Sequence, residues 1–197
     1  MEEPLYHKKQ RTIDLAKANY LGCLLYFPVI ALYGLPYYII WRDEFSWQKL
    51  KDFFAFDLNA YLSVGVIILA VVAGIVLHEL IHGMTWAFYA KRGWKSIKFG
   101  VLWQYMTPYC HCQEPLSVRA YAIGAIMPFM ILGLLPGVFS WFNGSLGWLL
   151  FGVFFTVAAA GDFMIIRMIL KEDKDVLVQD HPSEAGYFVY RKDENGG

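Results

Sequence analysis

Charged residues are scarce in this chain. Asp, Glu, Lys and Arg together make up 17% of its 197 residues, whereas an ordinary soluble domain contains about a quarter. Hydrophobic residues make up 57% of the chain, and the formal net charge is zero. The composition therefore favours a membrane protein that contacts the lipid bilayer. A balanced charge gives no indication of a nucleic-acid partner.

Cysteine is also scarce. The three cysteines, Cys23, Cys110 and Cys112, are odd in number, and Cys23 lies in an apolar run, so a disulfide framework is not expected. Cys110 and Cys112 flank His111, and a metal site there is one interpretation. Zinc sites usually separate paired cysteines by two to four residues and add two further ligands. Packing within the loop is therefore the favoured interpretation.

Four long hydrophobic runs stand out, at about 18–41, 60–90, 120–142 and 146–170. A run of about 20 apolar residues predicts a transmembrane helix. Burial of all four runs in a soluble helical core is the alternative, and the low charge content makes it the weaker one.

These runs predict an all-α membrane protein, a bundle of four transmembrane helices that forms a single membrane domain over residues 1–197. The loop 91–119 mixes β-branched and aromatic residues with polar ones. A short surface β-hairpin or loop is therefore expected between the second and third helices. Residues 171–197 are predicted to form a cytoplasmic tail.

Lysine and arginine are unevenly distributed among the connecting segments. Thirteen lie in the N-terminal segment, the second loop and the C-terminal segment, against three in the first loop and none in the third. Short loops rich in Lys and Arg stay on the cytoplasmic side of a membrane. Both termini are therefore predicted to be cytoplasmic.

The second hydrophobic run contains the motif His-Glu-x-x-His, as "HELIH" at residues 78–82. On an α-helix, His78 and His82 are one turn apart and point to the same face, so both imidazoles can bind one zinc ion. Glu79 lies beside them and can act as general base toward a metal-activated water. Hydrogen bonding across the helix bundle is the plainer interpretation, but ionisable groups at membrane depth are rare without a function.

A catalytic zinc site needs a third protein ligand, and Asp162 in the fourth hydrophobic run is the best candidate. Small residues precede it in "AAAGD", so another helix could approach closely there. Asp162 and His82 each lie eight residues before the predicted cytoplasmic end of their helix, about 12 Å deep at 1.5 Å per residue. An ion pair between Asp162 and Arg167 is the alternative.

A resemblance to a known family covers roughly residues 60–190. It rests on the motif, the "GD" at 161–162, the segment "CHCQEPLSVRAYAIGAIMP" and the tail "DHPSEAGYFVY". The chain resembles the bacterial family of small four-helix membrane proteins described as putative zincin peptidases. It is similar, more distantly, to intramembrane zinc metalloproteases of the site-2 protease class. The resemblance implies a multi-pass protein of the bacterial inner (cytoplasmic) membrane that binds Zn²⁺.

The expected function is hydrolysis of peptide bonds in membrane-embedded or membrane-adjacent segments of a protein or peptide substrate, with Glu79 catalytic and zinc held by His78, His82 and Asp162. A second hypothesis is a non-catalytic metal-binding membrane protein or an inactive partner of a membrane protease. A small ion transporter is a third hypothesis, but the chain lacks the internal repeat usual in such folds.

Overall fold

The structure, a computed structural model, describes residues 6–44, 46–48, 51, 54, 60–103, 107–182 and 184–192. Long apolar helices dominate this part of the chain. The α-helices in chain order are α1 (Leu15–Trp41), α2 (Ala60–Tyr89), α3 (Val118–Pro128), α4 (Leu135–Asn143), α5 (Leu146–Ala158) and α6 (Ala160–Ile169). A π-helical segment, Phe129–Leu134, joins α3 to α4, and a 3₁₀ turn, Gly93–Ser96, follows α2.

Three continuous helical stretches are long and apolar enough to cross a membrane: Asn19–Trp41, Tyr61–Tyr89 and Val118–Asn143. The pair α5 and α6 meets the same test when taken together, but its axis bends by 46° at the break between the two helices. The described residues therefore offer three candidate spans, or four if the bent pair is one span. Their length and composition are those of a membrane protein.

The prediction of an all-α fold is wrong, because the chain also forms two antiparallel sheets. The first sheet has four strands in the order β1-β6-β5-β4, and the second has two strands, β2 and β3. The six strands are β1 (Tyr6–Thr12), β2 (Ile97–Leu102), β3 (Thr107–Cys112), β4 (Leu116–Ser117), β5 (Leu177–Asp180) and β6 (Gly186–Lys192). The hairpin expected between the second and third hydrophobic runs corresponds to β2 and β3, whereas the four-stranded sheet was not expected.

The physical reason for this error lies in β1. Its sequence, "YHKKQRT", has no apolar alternation, and its lysines Lys8 and Lys9 are exposed on an edge strand, where charge is common. Its pairing is with β6, so that Arg11 lies opposite Tyr187. A strand held by a partner more than 170 residues away leaves no periodic signal in its own sequence.

Residues 1–19, 79–127 and 161–197 form one compact unit, which contains both sheets, and the boundary within α2 falls between His78 and Glu79 of one unbroken helix. Its core is aromatic and aliphatic, with Tyr187 and Val178 fully buried. Glu114 attaches the end of β3 to the end of α2. Its carboxylate accepts hydrogen bonds from the backbone N–H of Lys91 at 2.8 Å and from Ser96 Oγ at 2.7 Å. The bond from Ser96, followed by one from Arg92 Nε at 2.6 Å and by those from the backbone, lowers the pKa of Glu114 to about 2.

The second unit comprises residues 20–78 and 128–160. In it α1 packs on α4 and α5 through aromatic residues whose polar atoms are satisfied by backbone. Tyr37 Oη donates to Gly144 O at 2.7 Å, and Trp141 Nε1 donates to Tyr33 O at 2.9 Å. Apolar surroundings leave such groups no water to bond, so these contacts stabilise the packing.

The backbones of α4 and α5 approach closely at Gly152. A Cβ atom at this position would lie 2.5 Å from Gly137 N and 2.6 Å from Gly137 Cα, so only glycine allows the two backbones to approach this far. Gly65 on α2 is a matched position, since a Cβ there would meet nothing within 4 Å.

We predict that Gly152→Ala destabilises the protein by about 1–3 kcal/mol, because the added methyl group forces α4 and α5 apart. Gly65→Ala is expected to be neutral or stabilising by up to about 1 kcal/mol. Thermal unfolding of both variants in detergent measures the difference. Equal stability of the two variants would contradict the close contact.

Candidate metal centre

The two motif histidines lie on α2, an unbroken helix of 30 residues. His78 and His82 are one turn apart on the helix, and they are 9% and 5% exposed. Buried polar side chains in such an apolar helix must find partners, because an unsatisfied one costs several kcal/mol.

Asp162 lies in the first turn of α6, three residues after Ala159, where α5 and α6 are separated. The run of small residues that precedes it thus marks a helix break. Gly161 itself has no neighbour within 4 Å of an added Cβ, so close helix packing does not explain its presence. The start of a helix carries a partial positive charge, which stabilises a carboxylate there.

The structure brings the three predicted metal ligands together. One ligand atom from each of His78, His82 and Asp162 lies within 4.8 Å of the others. His82 Nε2 is 3.3 Å from Asp162 Oδ1, and the two side chains are 6% and 21% exposed. The alternative partner of Asp162, Arg167, has an exposed side chain. Among the described residues this is the group of His, Cys, Asp and Glu able to hold a metal ion.

The backbone of α3 determines the tautomer of His82. His82 Nδ1 lies 2.9 Å from the carbonyl oxygen of Gly124, and a carbonyl can only accept, so Nδ1 carries the hydrogen and donates it. In the neutral imidazole the lone pair is then on Nε2, the atom that faces Asp162. This is the usual arrangement for a metal-binding histidine, whose second nitrogen donates to a carbonyl.

The approach of His82 to Asp162 requires a positive charge between them. A lone pair on Nε2 and a carboxylate oxygen repel each other at 3.3 Å unless a proton or a metal cation is shared between them. Two ligands of a tetrahedral zinc ion with bonds of about 2.0–2.1 Å are separated by about 3.3–3.4 Å. Two imidazoles and one carboxylate are also a common ligand set of catalytic zinc sites, so the residues present fit this metal.

Glu79 is half-buried and follows His78 directly on α2. Its carboxylate interacts electrostatically with groups on the β3 and β5 strands. Burial raises the pKa of the Cys110 thiol, and the negative charge of Glu79 raises it further. The same charge contributes to the raised pKa of Asp180. Glu79 therefore lies close enough to Cys110 and Asp180 to affect both groups electrostatically.

A layer of residues behind His82 was not predicted from the sequence. The indole ring of Trp86 stacks on the imidazole of His82, with centroids 5.0 Å apart, and Tyr121 stacks on Trp86 at 5.2 Å. Trp86 Nε1 donates to Tyr121 O at 3.1 Å. A side chain at Gly124 would collide with this indole ring, so the residue that binds His82 must be glycine.

Asp180 on β5 completes this layer. The carboxylate is 9% exposed and accepts hydrogen bonds from Tyr121 Oη and, at 2.7 Å, from Cys112 N. Asp180 begins the tail segment "DHPSEAGYFVY" that contributes to the resemblance, but it was not singled out because β5 was not predicted. Its contacts connect the C-terminal sheet to β3 and to α3.

Cys110, His111 and Cys112 are all buried on β3, and the two cysteines are free thiols. Cys110 lies over Gly83, where an added Cβ would be 3.2 Å from its sulfur atom. His111 stacks on Tyr109 with centroids 5.6 Å apart. These contacts agree with a packing role for the three residues, which pack β3 against α2 just after the motif.

A comparison with protein-family models matches residues 71–177 to the family described as "Putative zincin peptidase". The matched segment is more than half of the chain and contains His78, Glu79, His82 and Asp162. No curated protein and no solved structure matches the chain.

We predict a pH dependence of stability that originates at Asp180. Burial raises its pKa from 3.8 to about 7, against the lowering effect of its two hydrogen bonds. Between these values the folded protein binds more protons than the unfolded chain, so the free energy of unfolding falls as pH rises from about 4 to about 7. Asp180→Asn should flatten this slope in unfolding experiments performed in a metal chelator.

Asp175→Asn is the matched control, because Asp175 is exposed and lies in the same segment. It should leave the slope as in the wild type. An unchanged slope in Asp180→Asn would show that the buried carboxylate does not titrate in this range.

Proposed function

Because the chain belongs to the putative zincin peptidase family, we propose that it is a zinc-dependent metalloendopeptidase that acts within or beside a membrane. Its zinc ligands would be His78, His82 and Asp162, and its general base would be Glu79. The observation that carries this proposal is the convergence of His78, His82 and Asp162 on one point. His82 Nε2 lies 3.3 Å from Asp162 Oδ1, an approach that a shared metal cation or proton makes favourable.

The ligand set also supports a catalytic site over a structural one. Structural zinc sites are usually closed by four protein ligands, whereas catalytic sites have three and keep a position open for water or substrate. Among the residues that the structure describes, the group has three members. Zinc bound by such residues supplies Lewis acidity, which polarises a carbonyl group and makes water a stronger acid near pH 7.

The proposed role of Glu79 is proton transfer. Its carboxylate accepts a proton from the attacking water and then delivers it to the amide nitrogen of the leaving peptide. Both transfers use one side chain, as expected for a general base that becomes a general acid in the next step. Its half-buried position next to His78 allows contact with both the metal ligands and an entering peptide.

His82 is the best-oriented of the proposed ligands. Its hydrogen bond to Gly124 O and its stacking on Trp86 fix the ring in position before a metal binds. Such supporting contacts typically contribute 10- to 100-fold to metal affinity. We therefore propose that Gly124 and Trp86 orient His82 but do not contact substrate.

The proposed substrate is a membrane-embedded or membrane-adjacent protein segment. All motif residues lie within Tyr61–Tyr89, the most apolar of the candidate spans, with a mean hydropathy of 2.6. A helical substrate hides its carbonyl groups in backbone hydrogen bonds, so the cleaved segment must be unwound. We further propose one membrane domain with spans near 18–41, 60–90, 120–142 and 146–170, and with both termini and the segment 171–197 cytoplasmic.

Metal analysis and cleavage assays together test the proposal. Purified wild-type protein should contain about one zinc ion per chain, and His82→Ala or Asp162→Ala should lose it. Glu79→Gln should keep the zinc ion but reduce cleavage of single-span model substrates in vesicles by about 10²- to 10⁴-fold, because the general base is lost.

Asp175→Ala is the control for Asp162→Ala, and Glu184→Gln is the control for Glu79→Gln. The two control positions, Asp175 and Glu184, are exposed. Neither control should change zinc content or cleavage. If the protein binds zinc but Glu79→Gln does not change cleavage, a non-catalytic metal-binding protein is favoured. A wild-type protein without zinc would refute the proposed site itself.

A further inference from the structure

A polar cavity lies between the two terminal strands and the end of α6. It has a volume of about 320 Å³ and is formed by β1, the end of α6 and β6. Its lining residues are Arg11, Met168, Lys171, Glu172, Tyr187 and Arg191. Three of these six side chains are cationic and one is anionic.

The single carboxylate in this cavity is already satisfied. Glu172 is 6% exposed, and it accepts hydrogen bonds from Arg11 Nε at 3.1 Å and from Arg191 Nη2 at 3.0 Å. Arg191 also pairs with Asp173, which lies outside the lining, at 3.0 Å. A guanidinium has five N–H donors, and Arg11 uses one of them in this pair.

Two further donors in the lining have no acceptor among the described residues. The hydroxyl of Tyr187 is fully buried and has no hydrogen-bond partner in that part of the chain. Lys171 is exposed and makes no ion pair there. Burial raises the pKa of Tyr187 to about 12, so its hydroxyl stays a donor at neutral pH. A buried donor without an acceptor is rare and costs about 1–3 kcal/mol.

The strand register explains why these groups meet. Tyr187 and Arg191 are four residues apart on β6 and therefore point to the same face. Arg11 lies directly opposite Tyr187 on β1. Lys171 and Glu172 follow α6 directly, so the end of this helix closes the cavity. The donors converge because of the pairing of the two terminal strands.

We propose that this cavity binds a phosphate group, specifically the headgroup phosphate of an anionic phospholipid. A phosphate offers several acceptor oxygens and negative charge, which match the donor excess of Arg11, Lys171 and Tyr187. The position favours a lipid over free phosphate. The cavity lies at the end of the bent candidate span, since it is lined by Met168 in the last turn of α6 and by Lys171, two residues after Ile169. Leu170, between them, is 69% exposed. Basic groups at the end of a span are typical of lipid headgroup sites.

The test uses the full-length protein in a neutral detergent. Short-chain phosphatidylglycerol, short-chain phosphatidylcholine and inorganic phosphate are each titrated, and binding is measured from the shift in melting temperature. Phosphatidylglycerol should stabilise the wild type more than phosphatidylcholine does. Tyr187→Phe, which keeps the ring and removes only the hydroxyl, should weaken phosphatidylglycerol binding about tenfold. Lys171→Gln should weaken it about fivefold.

Lys174→Gln is the matched control, because Lys174 is an exposed lysine three residues further on and does not line the cavity. It should leave the affinity within about twofold. If inorganic phosphate raises the melting temperature and Tyr187→Phe and Lys171→Gln weaken that effect, the phosphate site stands but its assignment to lipid is overturned. The site would be overturned if neither phosphatidylglycerol nor inorganic phosphate raised the melting temperature, or if Lys174→Gln weakened binding as much as Lys171→Gln does. The outcome is independent of zinc binding and of peptidase activity.

Discussion

The repulsion between two lone pairs is the constraint on which the candidate site depends. His82 Nε2 and Asp162 Oδ1 lie 3.3 Å apart in largely apolar surroundings, and only a shared cation or proton makes that approach favourable. The break between α5 and α6 puts Asp162 in a first helical turn, and the carbonyl of Gly124 directs the His82 lone pair toward it. Several separate elements of the chain therefore serve one electrostatic requirement.

Most of the site could be predicted from the sequence, because its signals are local. The spacing of His78 and His82 follows from the helical repeat, and Asp162 was conspicuous as an acidic residue in an apolar run. The layer of Trp86, Tyr121 and Asp180 could not be predicted. Their contacts join residues up to 68 positions apart, and aromatic residues are too common in this chain to mark a particular partner.

The helices could be predicted because composition alone identifies them, whereas the larger sheet could not be predicted because composition does not indicate strand pairing. A long apolar run identifies a membrane helix by composition alone. Strand β1 is rich in exposed charge and pairs with a strand at the far end of the sequence, so its formation depends on that partner. Composition therefore indicated the candidate membrane spans. It did not indicate the four-stranded sheet, because the polar segments at both ends were treated as tails.

The pairing of β1 with β6 also limits how the chain can be threaded through a bilayer. Their backbone hydrogen bonds require β1 and β6 to lie on the same side of any bilayer that the chain crosses, since a strand pair cannot form across hydrocarbon. A chain whose ends share a side crosses an even number of times. Of the two counts that the described helices allow, three and four, only four is even. In the proposed four-span topology, the bent pair of α5 and α6 would then be one complete crossing.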